Sequence, residues 1–288
     1  MNIQWYPGHM TKTRRMIAEQ LKNVDAVCEV LDARIPRSSR NPDVDELTAG
    51  KPRLVVLNRT DQADPAATAR WAERFRADGC AVLECSAKGG RGTERFAPAL
   101  RALLADKLRA YAEKGQNRVL RVMVLGIPNV GKSTFINQVA GRKIARTEDR
   151  PGVTRSRQWV PVDGQLELLD TPGILWPRFD DETVGLHLAY TGAVKDDVMD
   201  LETLGCRLAA YLGARYPDAL SAAYKLSALP EREENEVAWG YRLLTAAGEK
   251  RGFRISGGEV DTERMAKILL DEFRSGKLGR FTLDMPED

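Results

Sequence analysis

The sequence predicts an α/β fold: a mostly parallel sheet flanked by helices, followed by an all-helical region. Three observations predict it. Short apolar runs of strand length alternate with helix-like stretches through the first part of the chain. One of those runs leads directly into a glycine-rich loop of the kind that holds phosphate. Beyond about residue 180 the strand-like runs stop and only helical patterns remain.

The elements follow in order. Residues 11–22 read as a helix. The apolar run AVCEVLD ends at Asp32, LVVLN at Asn58, AVLECS at Ser86 and VLRVMVLG at Gly126. Helix-like stretches at 65–77 and 93–113 lie between them. RQWVPV and QLELLD read as two further strands, split by Asp163 and Gly164, a hairpin signal. Helical segments follow near 183–190, 200–213, 234–247 and 260–275. Two domains are expected, residues 1–178 and residues 179–288.

Composition narrows the class. The 288 residues are 43% apolar and 30% charged, ordinary for a chain with packed cores. No apolar run approaches the roughly 18–20 residues of a membrane span. The N-terminus lacks the order of a signal peptide. A cytoplasmic protein with no membrane partner is expected. Cys28, Cys80, Cys85 and Cys206 are scattered, with no CxxC and no Cys/His cluster, which argues against zinc and for core thiols in a reducing compartment. The net charge of +3 conceals an asymmetry: residues 1–179 hold 30 Lys/Arg and 20 Asp/Glu, residues 180–288 hold 14 and 21. A basic first part suits a polyanionic partner, or a merely solvated surface.

GIPNVGKST, residues 126–134, follows the strand VMVL and precedes the helix-like FINQVA. This is GxxxxGK[ST] between a strand and a helix. Its glycines allow backbone N–H groups, here from Asn129, Val130, Gly131 and the residues through Thr134, to close around phosphate oxygens. Lys132 would reach the β- and γ-phosphates, and the Ser133 hydroxyl would bind Mg²⁺.

Two other stretches choose the base. Asn58, Arg59, Thr60 and Asp61 close one strand; Ser86, Ala87 and Lys88 close another. Guanine offers an N1–H and a 2-amino donor, which the Asp61 carboxylate can accept together. Its O6 can take the Ala87 backbone N–H. Adenine would leave these groups unpaired, and unpaired buried polar groups are how such a site rejects the wrong base.

These motifs resemble those of GTPases. Asp170, Thr171, Pro172 and Gly173 resemble the DxxG motif, which implies that Asp170 holds Mg²⁺ through water and that the Gly173 N–H senses the γ-phosphate. Thr154, in RPGVTR, resembles the switch threonine that ligates Mg²⁺ in the triphosphate state. The motif order is rearranged: NRTD, SAK, GIPNVGKS, PGVT, DTPG. Ordinary GTPases begin with the phosphate loop, so the chain reads as circularly permuted, with the cut just after DTPG. Permutation preserves the site because every motif sits at the C-terminal edge of one sheet. It also brings the opening WYPGHM to where the second switch would lead into its helix. Many GTPases place a water-orienting glutamine after DxxG. Ile174 stands there and cannot hydrogen-bond water, so His9 is the candidate replacement, against a capping or structural role.

WYPGHM, LDARIPRSSRNP (residues 31–42) and the motifs above together resemble the ribosome-biogenesis GTPase A, or YlqF-related, family. The resemblance is dense over about residues 1–180 and looser beyond. It implies a circularly permuted P-loop GTPase domain with a C-terminal all-helical domain, binding GTP/GDP and Mg²⁺. It implies a GTP hydrolase of late large-subunit assembly, bound to the maturing ribosomal subunit in the GTP state and stimulated by it. It also implies catalysis by His9 and a K⁺ beside the phosphates held with Asn129. The usual NKxD lysine is replaced by Arg59, whose planar head differs. The expected partners are the large ribosomal subunit and its rRNA, with a monomer off the ribosome. Candidate RNA contacts are Lys12, Arg14, Arg15, Arg34, Arg37 and Arg40, and Arg142, Lys143, Arg146, Arg150, Arg155 and Arg157 near the switch. The tail is acidic overall, but its clustered basic residues, Lys250, Arg251, Arg254, Lys267, Arg274, Lys277 and Arg280, read either as one positive face toward the ribosome or as a solvated helix face. The alternative is a nucleotide-regulated ribosome-binding switch with little catalysis of its own.

Overall fold

The computed structural model describes residues 10–142, 158–171, 173, 181–196 and 200–286, without the side chains of residues 10–14 and 16. The chain divides into two compact units. One comprises Asn2–Asp181 with Thr282–Asp288, the other Glu182–Phe281.

The first unit is built on a six-stranded sheet with strands β1 (Ala26–Asp32), β2 (Arg53–Asn58), β3 (Ala81–Glu84), β4 (Leu120–Leu125), β5 (Gln158–Asp163) and β6 (Leu166–Asp170). Their spatial order is β3-β2-β1-β4-β6-β5. All neighbours are parallel except β5, which pairs antiparallel with β6. β1 is buried at every position, as a central strand covered on both faces should be. The register sets Asp32 opposite Asn58 and Val124 opposite Asp170. Five parallel strands therefore deliver their following loops to one edge. Two of those loops, after β2 and β3, precede in sequence the loop after β4, which is the permuted order expected.

Helices α1 (Met10–Leu21), α2 (Val44–Leu47), α3 (Pro65–Ala77), α4 (Phe96–Leu103), α5 (Ala105–Glu113) and α6 (Lys132–Val139) surround the sheet. Asp64 caps α3 by accepting from Ala66 and Ala67 N–H, and Pro65 takes the first helical position, where no N–H is needed. Ile17, Leu21, Val24, Val27, Met123 and Leu125 form one apolar cluster; Leu31, Val55, Leu57, Trp71 and Phe75 form another. The single helix expected over 93–113 is interrupted at Leu104, whose φ of −104° and ψ of 17° leave the helical range.

The second unit holds α7 (Glu182–Tyr190), α8 (Leu201–Arg215), α9 (Pro217–Tyr224), α10 (Glu236–Arg251) and α11 (Thr262–Ser275). Asp200, Asn235 and Asp261 cap three of them through side-chain oxygens. The short α9 was not expected; Pro217 at its first position is its sequence signal. The chain then leaves this unit at Phe281, and residues 282–286 pack on the first unit, although the sequence assigned the whole of 179–288 to the helical domain. These residues form no helix, and Thr282, Leu283, Asp284 and Pro286 are buried there.

Candidate guanine-nucleotide site

The loop between β4 and α6 turns through two left-handed residues, Asn129 at φ 59° and Gly131 at φ 90°. Gly131 has a second constraint: a Cβ there would lie 2.5 Å from Asn58 Nδ2. Lys132 opens α6 and is buried. Its Nζ donates to Asp170 Oδ1 at 3.1 Å, with side-chain exposures of 5% and 3%. Ser133 and Thr134 are half-buried in the first turn of α6, and Val130 is buried. The Thr171 hydroxyl donates to the Val124 carbonyl at 2.6 Å, fixing the start of DTPG against β4. A Cβ on Gly173 would lie 2.8 Å from the Pro128 nitrogen, so this glycine lies directly against the phosphate loop. The sheet thus gathers Lys132, Ser133, Asp170 and Gly173 around one loop.

Asn58 joins three loops. Its Nδ2 donates to the Val130 carbonyl at 3.0 Å, and its Oδ1 accepts from the Ala87 N–H at 3.0 Å. The Thr60 N–H donates to the Cys85 carbonyl at 3.2 Å, and the Ser86 N–H to the Arg91 carbonyl at 2.9 Å. Asp61 and Lys88 are exposed at the rim. The Ala87 N–H, expected to meet guanine O6, already has a partner in Asn58, so O6 would share it in a three-centre bond. Arg59 adopts φ 64° and its Nη2 donates to the Asn129 carbonyl at 2.8 Å.

Behind Arg59 lies a pair whose role the sequence did not reveal. Arg34, 1% exposed, clamps Asp32 through Nε to Oδ1 at 3.0 Å and Nη2 to Oδ2 at 2.7 Å. Burial alone would raise the Asp32 carboxyl, but the Arg34 charge and hydrogen bonds, with Arg59 beside it, hold it below its usual value. Arg34 is therefore not an RNA contact: it is spent inside the fold. Arg274 is likewise engaged, bidentate to Asp196 at 2.8 Å and donating to the Ala189 carbonyl. Arg40 is mostly buried and pairs with Glu29 and Asp45. Arg37 remains on the surface. His9, Thr154, Ile174, Lys143, Arg146, Arg150, Arg155 and Arg157, and the side chains of Lys12 and Arg14, lie outside the described residues.

The donors fit Mg²⁺ bound with a nucleotide. A hydroxyl and a carboxylate are hard oxygen ligands. Among the described residues no group of three or more His, Cys, Asp or Glu is placed to hold a metal. The four thiols are buried, and burial drives that of Cys85 up to about 12, so none is a poised nucleophile.

Residues 121–202 match a family described as "50S ribosome-binding GTPase". "Ribosome biogenesis GTPase A" of Priestia megaterium is 45% identical, across 100% of this chain and 98% of that protein. "Mitochondrial ribosome-associated GTPase 1" of Mus musculus is 33% identical, across 98% of this chain and 90% of its own. The crystal structure of GNP-bound YlqF from T. maritima superposes with a TM-score of 0.65 at 26% identity, covering 96% of this chain and 99% of that one.

Proposed function

We propose, starting from a chain that belongs to the ribosome biogenesis GTPase A family and is therefore a GTP hydrolase, that it works in late assembly of the large ribosomal subunit. It binds the maturing subunit in the GTP state and hydrolyses GTP there. The observation that carries this reading is a likeness running the full length of the chain, through sheet and helical unit alike.

Each residue has a task in this reading. Asp61 takes the guanine N1–H and 2-amino group. The N–H groups of the phosphate loop and Lys132 take the β- and γ-phosphates. Ser133 and Thr154 would hold Mg²⁺ directly and Asp170 through water, and the ion would supply charge neutralisation at the phosphates. Gly173 donates its N–H to the γ-phosphate, and Asn129 would help hold a K⁺. His9 orients the attacking water, because Ile174 cannot. The surface arginines and lysines of the basic first part meet rRNA phosphates, which makes binding steeply salt-dependent. Away from the ribosome the protein is a cytoplasmic monomer. Ile174 also favours a second reading, a nucleotide-regulated switch with little catalysis of its own.

The test is GTP hydrolysis by the purified protein in K⁺ and in Na⁺ buffer, alone, with large subunits and with small subunits. Stimulation by large subunits only, lost in His9→Ala, is the expected result. Tight guanine-nucleotide binding with no stimulation and an inert His9→Ala supports the switch.

A further inference from the structure

The stretch LDARIPRSSRNP enters none of the nucleotide contacts above, and residues 282–286 enter none either. They meet each other. Ser38 donates twice to Asp284, from its N–H to Oδ2 at 2.6 Å and from its hydroxyl to Oδ1 at 2.8 Å. The Leu283 N–H donates to the Arg34 carbonyl at 2.7 Å. Thr282, fully buried, bridges the Ala33 carbonyl (3.3 Å) and the Asp64 N–H (3.1 Å), the latter at the cap of α3. Trp71 Nε1 donates to the Asp284 carbonyl at 2.9 Å. The terminal strap thus fixes both the loop that carries Arg34 and the junction that follows Asp61.

From Arg34 the contacts continue inward. Arg34 clamps Asp32, and Asp32 Oδ2 lies 3.6 Å from Arg59 Nε. Arg59 Nη2 in turn donates to the Asn129 carbonyl of the phosphate loop. A lysine at position 59 has one nitrogen and cannot offer two separate faces of a planar fork to Asp32 and Asn129. The Arg at this position therefore matches the buried Asp32 beside it.

We propose that the C-terminal strap positions the guanine-nucleotide site: Asp284, by holding Ser38, and Leu283, by holding the Arg34 carbonyl, fix the loop from which Arg34 keeps Asp32 aimed at Arg59, and Arg59 holds the Asn129 carbonyl and with it the phosphate loop. Asp284 and Asp32 are positioning residues and touch no nucleotide. The coupling runs from the strap, which holds Ser38 and, through Leu283, the Arg34 carbonyl, into the buried Arg34–Asp32 pair and on to Arg59. It rests on guanine-nucleotide binding at this site and is independent of any ribosomal role.

The test is the release rate of a fluorescent (mant) GDP from the full chain, with thermal unfolding followed in parallel. Arg59→Ala should speed release about tenfold or more, the effect of losing one charge-assisted bond. Asp284→Asn should speed it about three- to tenfold. The double variant should release no faster than Arg59→Ala alone, because both act through one link. Arg59→Lys should fail to restore the wild-type rate. Should Asp284→Asn fold poorly, Ser38→Ala removes only the hydroxyl contact and replaces it in the cycle. Multiplying effects would overturn the proposal. So would a lowered melting temperature with an unchanged release rate. Absence of stimulation by large subunits in the unmutated protein, with these release rates as expected, would overturn subunit-stimulated hydrolysis and leave this proposal standing.

Discussion

Lys132 Nζ donates to Asp170 Oδ1 at 3.1 Å, and both side chains are almost wholly withdrawn from water. A buried pair of this kind is costly to break from one side, because the remaining charge has no solvent to turn to. Lys132→Ala or Asp170→Asn alone should therefore destabilise the sheet-containing unit by about 3–5 kcal/mol. Lys132→Met with Asp170→Asn should recover much of that. Denaturant unfolding without added nucleotide measures it. Lys132→Ala should also lower GTP turnover at least about a hundredfold, the effect of removing a charge aimed at the transferring phosphoryl group.

Asp61 stands exposed just past β2, beside the loop that Asn58 anchors. Asp61→Asn replaces one acceptor by a donor where guanine presents two donors. GTP affinity should fall by about a hundredfold or more, whereas xanthosine triphosphate, which carries an oxygen in place of the 2-amino group, should gain. Competition binding with the two nucleotides checks it. Adenine nucleotides should compete with neither variant.

Glu29 lies on the same face of β1 as Val27 and Leu31, between the two apolar clusters, and neither carboxylate oxygen has a hydrogen-bond partner. Burial pushes its carboxyl up to about 7; Arg40 and Arg53 oppose that, and Asp45 adds to it. The folded state therefore binds a proton more tightly than the unfolded chain, where the ordinary value of 4.5 applies. This contribution to stability is complete below that value, declines as pH rises through the interval and is gone above about 7. Relative to Glu29→Gln, which does not titrate, the wild type should lose about 3 kcal/mol between pH 4.5 and 7.5. Urea midpoints at several pH values measure the difference.

Gly131→Ala should be more damaging than its size suggests. The position is left-handed, and the added methyl would press on Asn58 Nδ2, the donor that holds Val130. Strain of about 1–3 kcal/mol and a displaced Asn58 should together weaken GDP binding at least tenfold. Isothermal titration checks the affinity, and the melting curve separates it from global unfolding.

Much of this site was legible in the sequence, for local reasons. GxxxxGK[ST] after an apolar run works through backbone N–H groups and the first residues of its own helix, so the residues that bind phosphate are neighbours in the chain. The strand ends Asp32, Asn58 and Asp170 fall where the apolar runs end, because each run stops where the chain leaves the buried sheet. Asp163 and Gly164 mark the hairpin between β5 and β6 for the same local reason.

What the chain alone could not display is pairing across distance. Arg34 looks like any arginine in a basic stretch, and an RNA contact was the natural expectation; only the fold buries it against Asp32, two residues away in sequence but shielded by loops and by the terminal strap. Ser38 and Asp284 are 246 residues apart and hydrogen-bonded. Arg59 differs by one residue type from the usual motif, and its partner in that change, Asp32, comes from the neighbouring strand end. Local chemistry therefore determined the class of the protein and the motifs expected to hold its nucleotide. Tertiary structure decided which charges face water and which are consumed in holding those motifs in place, because burial and ion pairing depend on what the folded chain brings within a few ångströms, not on what the sequence places side by side.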